Sequence, residues 1–406
     1  MPVSGAKNSA LPILAATILA KGQFLIKNVP EVSDVLTMVK ILKALGAKAV
    51  LARGTLIVDT TNLDKNVADY KYVSTMRASV CLLGPLLARF GSARVSMPGG
   101  CVIGQRPIDL HIKGLRALGT DIKLEHGYVN ASLKKKAKGG RIYLGGAFGS
   151  SVLATANILM FAALGRGKTV IESAACEPEI VDLGNFLIQM GARIKGLGSP
   201  LIEIEGQKKL SACEYSIISD RIEAGTYLIA AAMTRGDITV KNFEPAFLGV
   251  LFDKLRECGV DVKIKDGHVR VRRKSKLRAV SITTLAYPGF STDLQAQMMA
   301  LMTVTPGISV ITEKIFPERF MHVSELNRMG ADIRLEGHSA IVSGMPELSG
   351  APVMASDLRA SAALVLAGLA ARGETLVSRI YHLDRGYERL VDKLCSVGAN
   401  ISRVKQ

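Results

Sequence analysis

The segment Met97–His111 concentrates reactive chemistry: Gly99, Gly100 and Gly104 surround Cys101, and Arg106 stands five residues beyond it. Glycines at that density make an adaptable loop rather than a core strand. A nearby guanidinium lowers a thiol's pKa or holds the anion beside which the thiol reacts. The plainer reading of Cys101 is an ordinary free cysteine. The other five cysteines (Cys81, Cys176, Cys213, Cys258, Cys395) sit in helical or strand patterns and read as small apolar residues. With no C-x-x-C pair and no His at ligand spacing, a metal site is not expected. In a reducing compartment all six are free thiols. His111 and His382 lie near candidate site residues, but neither has a visible Ser or Asp partner for a nucleophilic triad.

A second group of candidates stands at the starts of six helical patterns: Lys7 with Asn8, Arg77, Ser150 with Ser151, Asp220 with Arg221, Asp293, and Asp357 with Arg359. A helix N-terminus carries partial positive charge, so Asp and Ser belong there and Lys or Arg do not. Taken singly, Asp293 is an N-cap, and Arg77 or Arg359 is a solvated or ion-paired side chain. Taken together, four cations at such positions point to a bound anion between two domains, held by helix ends and guanidinium forks.

The elements that must position these residues follow an internal repeat. An apolar-Gly-small phrase recurs at Gly46, Gly119, Gly191, Gly259, Gly330 and Gly398, with spacings of 73, 72, 68, 71 and 68 residues. Each glycine follows a helical pattern and precedes an alternating strand, the place of a left-handed helix C′ residue. A second series, Gly22, Gly91, Gly167, Gly236, Gly307 and Gly373, closes small-residue helices ahead of β-rich runs. Each unit reads helix, strand, helix, strand, strand over about 70 residues, too long for a solenoid repeat. The expected fold class is α/β (α+β): six repeated units in two domains, 1–215 and 216–406, helices inside and sheets outside. The sixth unit lacks a partner for a strand at 399–404, and no strand precedes the first helix to replace it, so either a short edge there or a start site assigned too late is expected.

Composition narrows the function classes. The 406 residues carry 52 Lys+Arg against 35 Asp+Glu, a surplus of +17, yet Trp is absent and aromatics are 5%. That is a poor supply of base-stacking platforms for nucleic acid. The basic runs Lys134–Lys138 and Arg270–Arg278 read as solvated links. No apolar stretch reaches the ~18–20 residues of a membrane span and no secretory signal is visible, so a soluble, cytoplasmic protein is expected.

Several motifs carry a resemblance over essentially the whole chain. They are Ser4–Asn8, Pro98–His111, Glu177–Asp182, Thr292–Gln297, Arg319–Val323, Asp357–Ser361 and Asp384–Arg389. In this order they closely resemble the UDP-N-acetylglucosamine 1-carboxyvinyltransferase family of enolpyruvyl transferases. The related 3-phosphoshikimate enzymes share the six-unit architecture but not the Ala6-Lys7-Asn8 start or the Cys101 loop. The resemblance implies a two-domain inside-out α/β barrel. It also implies transfer of enolpyruvyl from phosphoenolpyruvate to the 3-hydroxyl of UDP-N-acetylglucosamine, with no cofactor. By position, Cys101 resembles the general acid and Asp293 the base. Lys7, Asn8, Arg106, Arg359 and Arg385 resemble the phosphoenolpyruvate and phosphate contacts. The nucleotide sugar would meet Asn8, Arg77, Arg106, Pro107, Ile108, Asp109, Leu110, Ser151, Val152, Asp293 and Ile315. Leu153 departs from the family's usual glycine. The family's cysteine implies alkylation of Cys101 by the epoxide fosfomycin. A transferase with another acceptor alcohol, and a non-catalytic basic binding protein on the same fold, remain the alternatives.

Overall fold

The first helix of each repeat is built largely of small and apolar residues, which lets most of it be enclosed. In Arg221–Met233 and Gln295–Thr303 every residue is buried, and in Val152–Ala163 only the first two residues are not. The second helices, such as Ser33–Ala44 and Gly249–Glu257, bury one stripe. The strands alternate, as in Gln23–Lys27 and Leu201–Glu205, with one face against the helices and one toward water. These are features of a computed structural model that describes residues 1–73, 76–97, 108–135 and 137–404. Cys101, Arg106 and Pro107 lie outside the described residues.

The described chain divides into two compact units, each with its own core. The first comprises 5–97 and 108–218, and the second comprises 1–4 and 219–404. Pairing at the boundary explains these limits. The strand Glu214–Ser216 lies parallel to Gln23–Lys27, with Leu25 opposite Glu214, and so joins the first unit's sheet. Residues 1–4 belong with the second: Pro2 bridges Lys241, and the Val3 N–H donates to the Lys241 carbonyl at 3.2 Å.

Each unit repeats one sheet pattern. In the third repeat, Arg141–Tyr143 runs parallel to Lys168–Glu172, which pairs antiparallel with Leu201–Glu205, itself paired with Arg193–Lys195. Short leading strands of this kind (Val67–Ala68, Arg141–Tyr143, Glu214–Ser216, Ile282–Thr283, Pro352–Met354) are an addition to the expected unit. At two or three residues they carry no detectable alternation. In the fourth repeat the Pro2 bridge stands beside Asp237–Val240, the place a leading strand takes elsewhere.

All six C′ glycines adopt left-handed φ between 89° and 106°. The second glycine series follows suit except at the fourth repeat, where Arg235 takes the left-handed position (φ 57°) one residue before Gly236. The sixth repeat has a two-stranded parallel sheet, Pro352–Met354 with Leu376–Ser378, and residues 399–404 form no strand. The basic run Arg270–Arg278 is not wholly a link. Arg270 and Arg272 lie on the strand His268–Arg272 and pair with Asp237 at 2.7 and 3.4 Å, and Lys274 meets Asp261 at 3.1 Å. Among the described residues no helix is long and apolar enough to cross a membrane.

Candidate active site

In the first unit, Lys7 opens the helix Lys7–Ala16 with no acidic residue in its first turn and no side-chain cap. Its ammonium is buried and lies 3.1 Å from the Asp34 carboxylate. Asp34 comes from the first turn of the neighbouring helix Ser33–Ala44. The ion pair offsets the repulsion between a cation and the helix dipole. Asn8 follows, half-buried, and Ser9 hydrogen-bonds Asp182, which also accepts from the Tyr215 hydroxyl at 2.6 Å. Burial pushes the Asp182 carboxyl up, against the pull of those hydroxyl donors.

Arg77 begins the short 3-10 helix Arg77–Leu82 that runs into Leu83–Phe90. Ile108 stands at the N-cap of Asp109–Ala117; it is buried, Asp109 is exposed and Leu110 half-buried. Ser151 caps Val152–Ala163, accepting from the Ala154 N–H at 3.3 Å. Three of the predicted segments therefore present helix starts, and Val152–Ala163 packs on both of the others. His111, on the Asp109–Ala117 helix, is buried and pushed down to about 3, chiefly by burial and then by the Arg77 charge, so it is neutral. The hairpin Gly145–Gly146 with Gly149–Ser150 precedes the Ser151 cap.

In the second unit, Asp293 sits in the turn Thr292–Leu294 that opens Gln295–Thr303, capped by Ser291. Arg319 Nη1 donates to one carboxylate oxygen at 2.9 Å, and Arg359 Nη2 donates to the other at 2.9 Å. Both guanidiniums are buried. Burial pushes the Asp293 carboxyl up, but the Arg359 and Arg319 charges outweigh it and hold the group well below the usual carboxylate range. Burial opposes the Arg359 charge, and Asp293 more than offsets that. Asp293 is thus an ionised, weakly basic carboxylate clasped by two forks.

The clasp is itself held. Asp357 caps Leu358–Ala370 and accepts from the Arg359 backbone N–H at 2.8 Å. The Arg359 guanidinium lies 5.4 Å from the centre of the Tyr387 ring. The Tyr387 hydroxyl meets Thr226 at 2.9 Å and the Gln297 amide at 3.1 Å. Arg319 also donates to the Thr292 hydroxyl, which in turn donates to Glu313 at 2.9 Å. Glu313, fully buried, further accepts from the Thr284 hydroxyl and from the backbone N–H groups of Ile315 and Phe316, fixing the turn that carries Ile315. Arg385 ends the turn Ile380–Arg385, two residues before Tyr387, and is half-buried.

Sequence reasoning therefore reached Asp293 and Arg359, which the structure joins, but gave no role to Arg319, Glu313, Asp34 or Tyr387. Arg319 lay inside a quoted motif; Asp34 and Glu313 carried no local signal. Among the described residues, no group of three His, Cys, Asp or Glu side chains is placed to hold a metal ion.

A family model described as EPSP synthase (3-phosphoshikimate 1-carboxyvinyltransferase) matches residues 1–394. The chain belongs to the EPSP synthase family of enolpyruvyl transferases. Within that family, the UDP-N-acetylglucosamine 1-carboxyvinyltransferase of Geotalea uraniireducens (strain Rf4) is 55% identical over 405 residues, 100% of this chain and 96% of the relative. That of Methylacidiphilum infernorum (isolate V4) is 54% identical over 402 residues, 99% of this chain and 95% of the relative. Among solved structures, the enolpyruvyl transferase NikO from Streptomyces tendae superposes with a TM-score of 0.88 at 26% identity, covering 98% of this chain and 94% of that one. EPSP synthase from Acinetobacter baumannii, at TM-score 0.75 and 17% identity over 98% of this chain and 95% of that one, shares the fold. The enolpyruvyl transferase fold, with helices inside and sheets outside in each unit, is thus the fold of this chain.

Proposed function

We propose that this protein transfers the enolpyruvyl group of phosphoenolpyruvate to the 3-hydroxyl of UDP-N-acetylglucosamine, releasing phosphate, as a cytoplasmic step of peptidoglycan synthesis. The observation that carries the reading is the 54–55% identity, over nearly the full length of both chains, to relatives bearing that enzyme's name. The site's chemistry suits it: both substrates are anionic, and Lys7, Arg77 and Arg359 are cations at helix starts.

In this mechanism Cys101 protonates the methylene carbon of phosphoenolpyruvate, and the adjacent carbon becomes electrophilic. The sugar oxygen adds to that carbon while Asp293 takes its proton. A carboxylate held this far below its usual range is a weak base. It suffices because the hydroxyl becomes strongly acidic as its oxygen bonds to an electron-poor carbon. The Cys101 thiolate then takes a methyl proton back as the carbon–oxygen bond to phosphate breaks, regenerating the double bond on the new ether, and the proton held by Asp293 leaves with the phosphate. Lys7, Arg106 and Arg385 hold the phosphate and stabilise the charge that shifts as it departs, and Arg359 both assists and aligns Asp293. Asn8 serves both substrates. Arg77, Arg106, Pro107, Ile108, Asp109, Leu110, Ser151, Val152, Asp293 and Ile315 take the nucleotide sugar.

Offering UDP-N-acetylglucosamine and shikimate 3-phosphate separately, each with phosphoenolpyruvate, tests the acceptor. Mass spectrometry should find the enolpyruvyl ether on the nucleotide sugar alone. Product on shikimate 3-phosphate alone would contradict the reading.

A further inference from the structure

The helix Val152–Ala163 is apolar apart from Thr155 and Asn157, and Asn157 is fully buried at its middle. A buried carboxamide is costly unless its polar atoms are paired. Here the amide nitrogen donates to the Val80 carbonyl at 2.8 Å and to His111 Nδ1 at 2.7 Å, and the amide oxygen accepts from the Gly84 N–H at 2.8 Å. Because Asn157 donates, His111 Nδ1 accepts and the ring's proton sits on Nε2. The neutrality of the buried imidazole fits that assignment. Gly84 is required for the approach: a Cβ there would stand 2.4 Å from the Asn157 carbonyl oxygen.

The bonds reach two neighbouring segments whose leading ends carry proposed nucleotide-sugar contacts, two of them to the continuous run Arg77–Phe90 and one to Asp109–Ala117. Val80 is one turn after Arg77, within Arg77–Leu82. His111 directly follows Leu110 in Asp109–Ala117. Asn157 itself lies less than two turns after Ser151 and Val152. We propose that Asn157 is a positioning residue for the nucleotide-sugar subsite, fixing these three helix starts relative to one another through one buried carboxamide. The inference rests on the proposed function, since it concerns how that reaction's acceptor is held. Packing alone does not account for the choice of residue, because a leucine has the same branched skeleton and makes no directional bonds into the two neighbouring segments.

Steady-state kinetics on Asn157→Leu and Asn157→Ser test it, with circular dichroism melting as the measure of folding. Loss of the bonds loosens one substrate's contacts and not the chemistry. KM for UDP-N-acetylglucosamine should rise about tenfold, with kcat and KM for phosphoenolpyruvate within about threefold of wild type. His111→Leu should raise the same KM, and the double variant with Asn157→Leu should show less than the product of the two single effects. A folded variant with unchanged KM for the nucleotide sugar, or with its loss in kcat or equally in both KM values, overturns the inference. Should Asn157→Leu fail to fold, Asn157→Ser is read by the same criteria. The wild-type arm separates the two claims: wild type that does not use UDP-N-acetylglucosamine defeats the functional reading and this inference with it. A normal wild type beside an indifferent variant defeats this inference alone.

Discussion

Two arginines bracketing one carboxylate set the chemistry of Asp293. Its basicity and its orientation both come from Arg319 and Arg359, 26 and 66 residues away in sequence. Removing one fork has a signed consequence. The folded-state pKa of Asp293 is depressed, so the ionised form, the one the proposed mechanism uses, persists to low pH. In Arg319→Met the carboxylate loses one stabilising charge and its pKa rises. The acid limb of the pH–rate profile should therefore move to higher pH, and kcat should fall about tenfold or more. An acid limb that stays in place would show that Arg319 does not tune Asp293. Cys101 is tested covalently: fosfomycin should leave an adduct on the peptide containing Cys101, and an unmodified Cys101 peptide would remove it from the proposed role. At this scale the sequence exposed reactive types in unusual settings: a cysteine among glycines and cations at helix starts. It could not expose what neutralises them. Lys7 and Asp34 are 27 residues apart and meet because two helices pack, which no local pattern encodes.

Elements were more legible than contacts, because a helix that must stop and reverse needs a left-handed residue and glycine supplies it cheaply. The six C′ glycines fall where the repeat puts them, and their φ values agree within 17°. Gly330 has open space around its missing side chain and φ +89°, so Gly330→Ala bears only the backbone strain. It should lower unfolding free energy by about 1 kcal/mol, read as a shift in urea midpoint at constant slope. No shift would mean that the turn relaxes into another conformation. Gly344 is a different case, since a Cβ there would stand 1.6 Å from the Thr305 carbonyl oxygen. The leading strands escaped notice because two or three residues cannot show alternation, and their pairing is long-range and parallel. Arg235 escaped because its left-handed backbone has no sequence marker when the residue is not glycine.

Across the whole molecule, charge acts in two ways. The surplus of +17 is spread over 52 basic residues, many on outer strands beside acids such as Asp237 and Asp261, while the candidate site depends on a few cations by position. The surface excess steers anionic substrates mainly at low salt. Buried histidines act on stability. Burial pushes His322 down to about 4 and His111 down to about 3, against an ordinary value of 6.5. Below pH 6.5 the unfolded chain takes up protons that the folded one refuses, so these groups subtract stability as pH falls toward 4. Buried acids such as Glu223, pushed up by burial, act with the opposite sign. The comparison is therefore wild type against His322→Asn: the difference in unfolding free energy should grow more unfavourable to wild type from pH 6.5 to 4. A constant difference would show that His322 titrates normally.

The central claim, enolpyruvyl transfer to a nucleotide sugar assisted by an ionised Asp293, is tested most directly by phosphate release from phosphoenolpyruvate. The assay is run with and without UDP-N-acetylglucosamine, on wild type and on Asp293→Asn. Steady release that requires the nucleotide sugar, reduced by at least about a hundredfold in the variant, is the expected result. Steady release without the sugar, or turnover undiminished in Asp293→Asn, would contradict it.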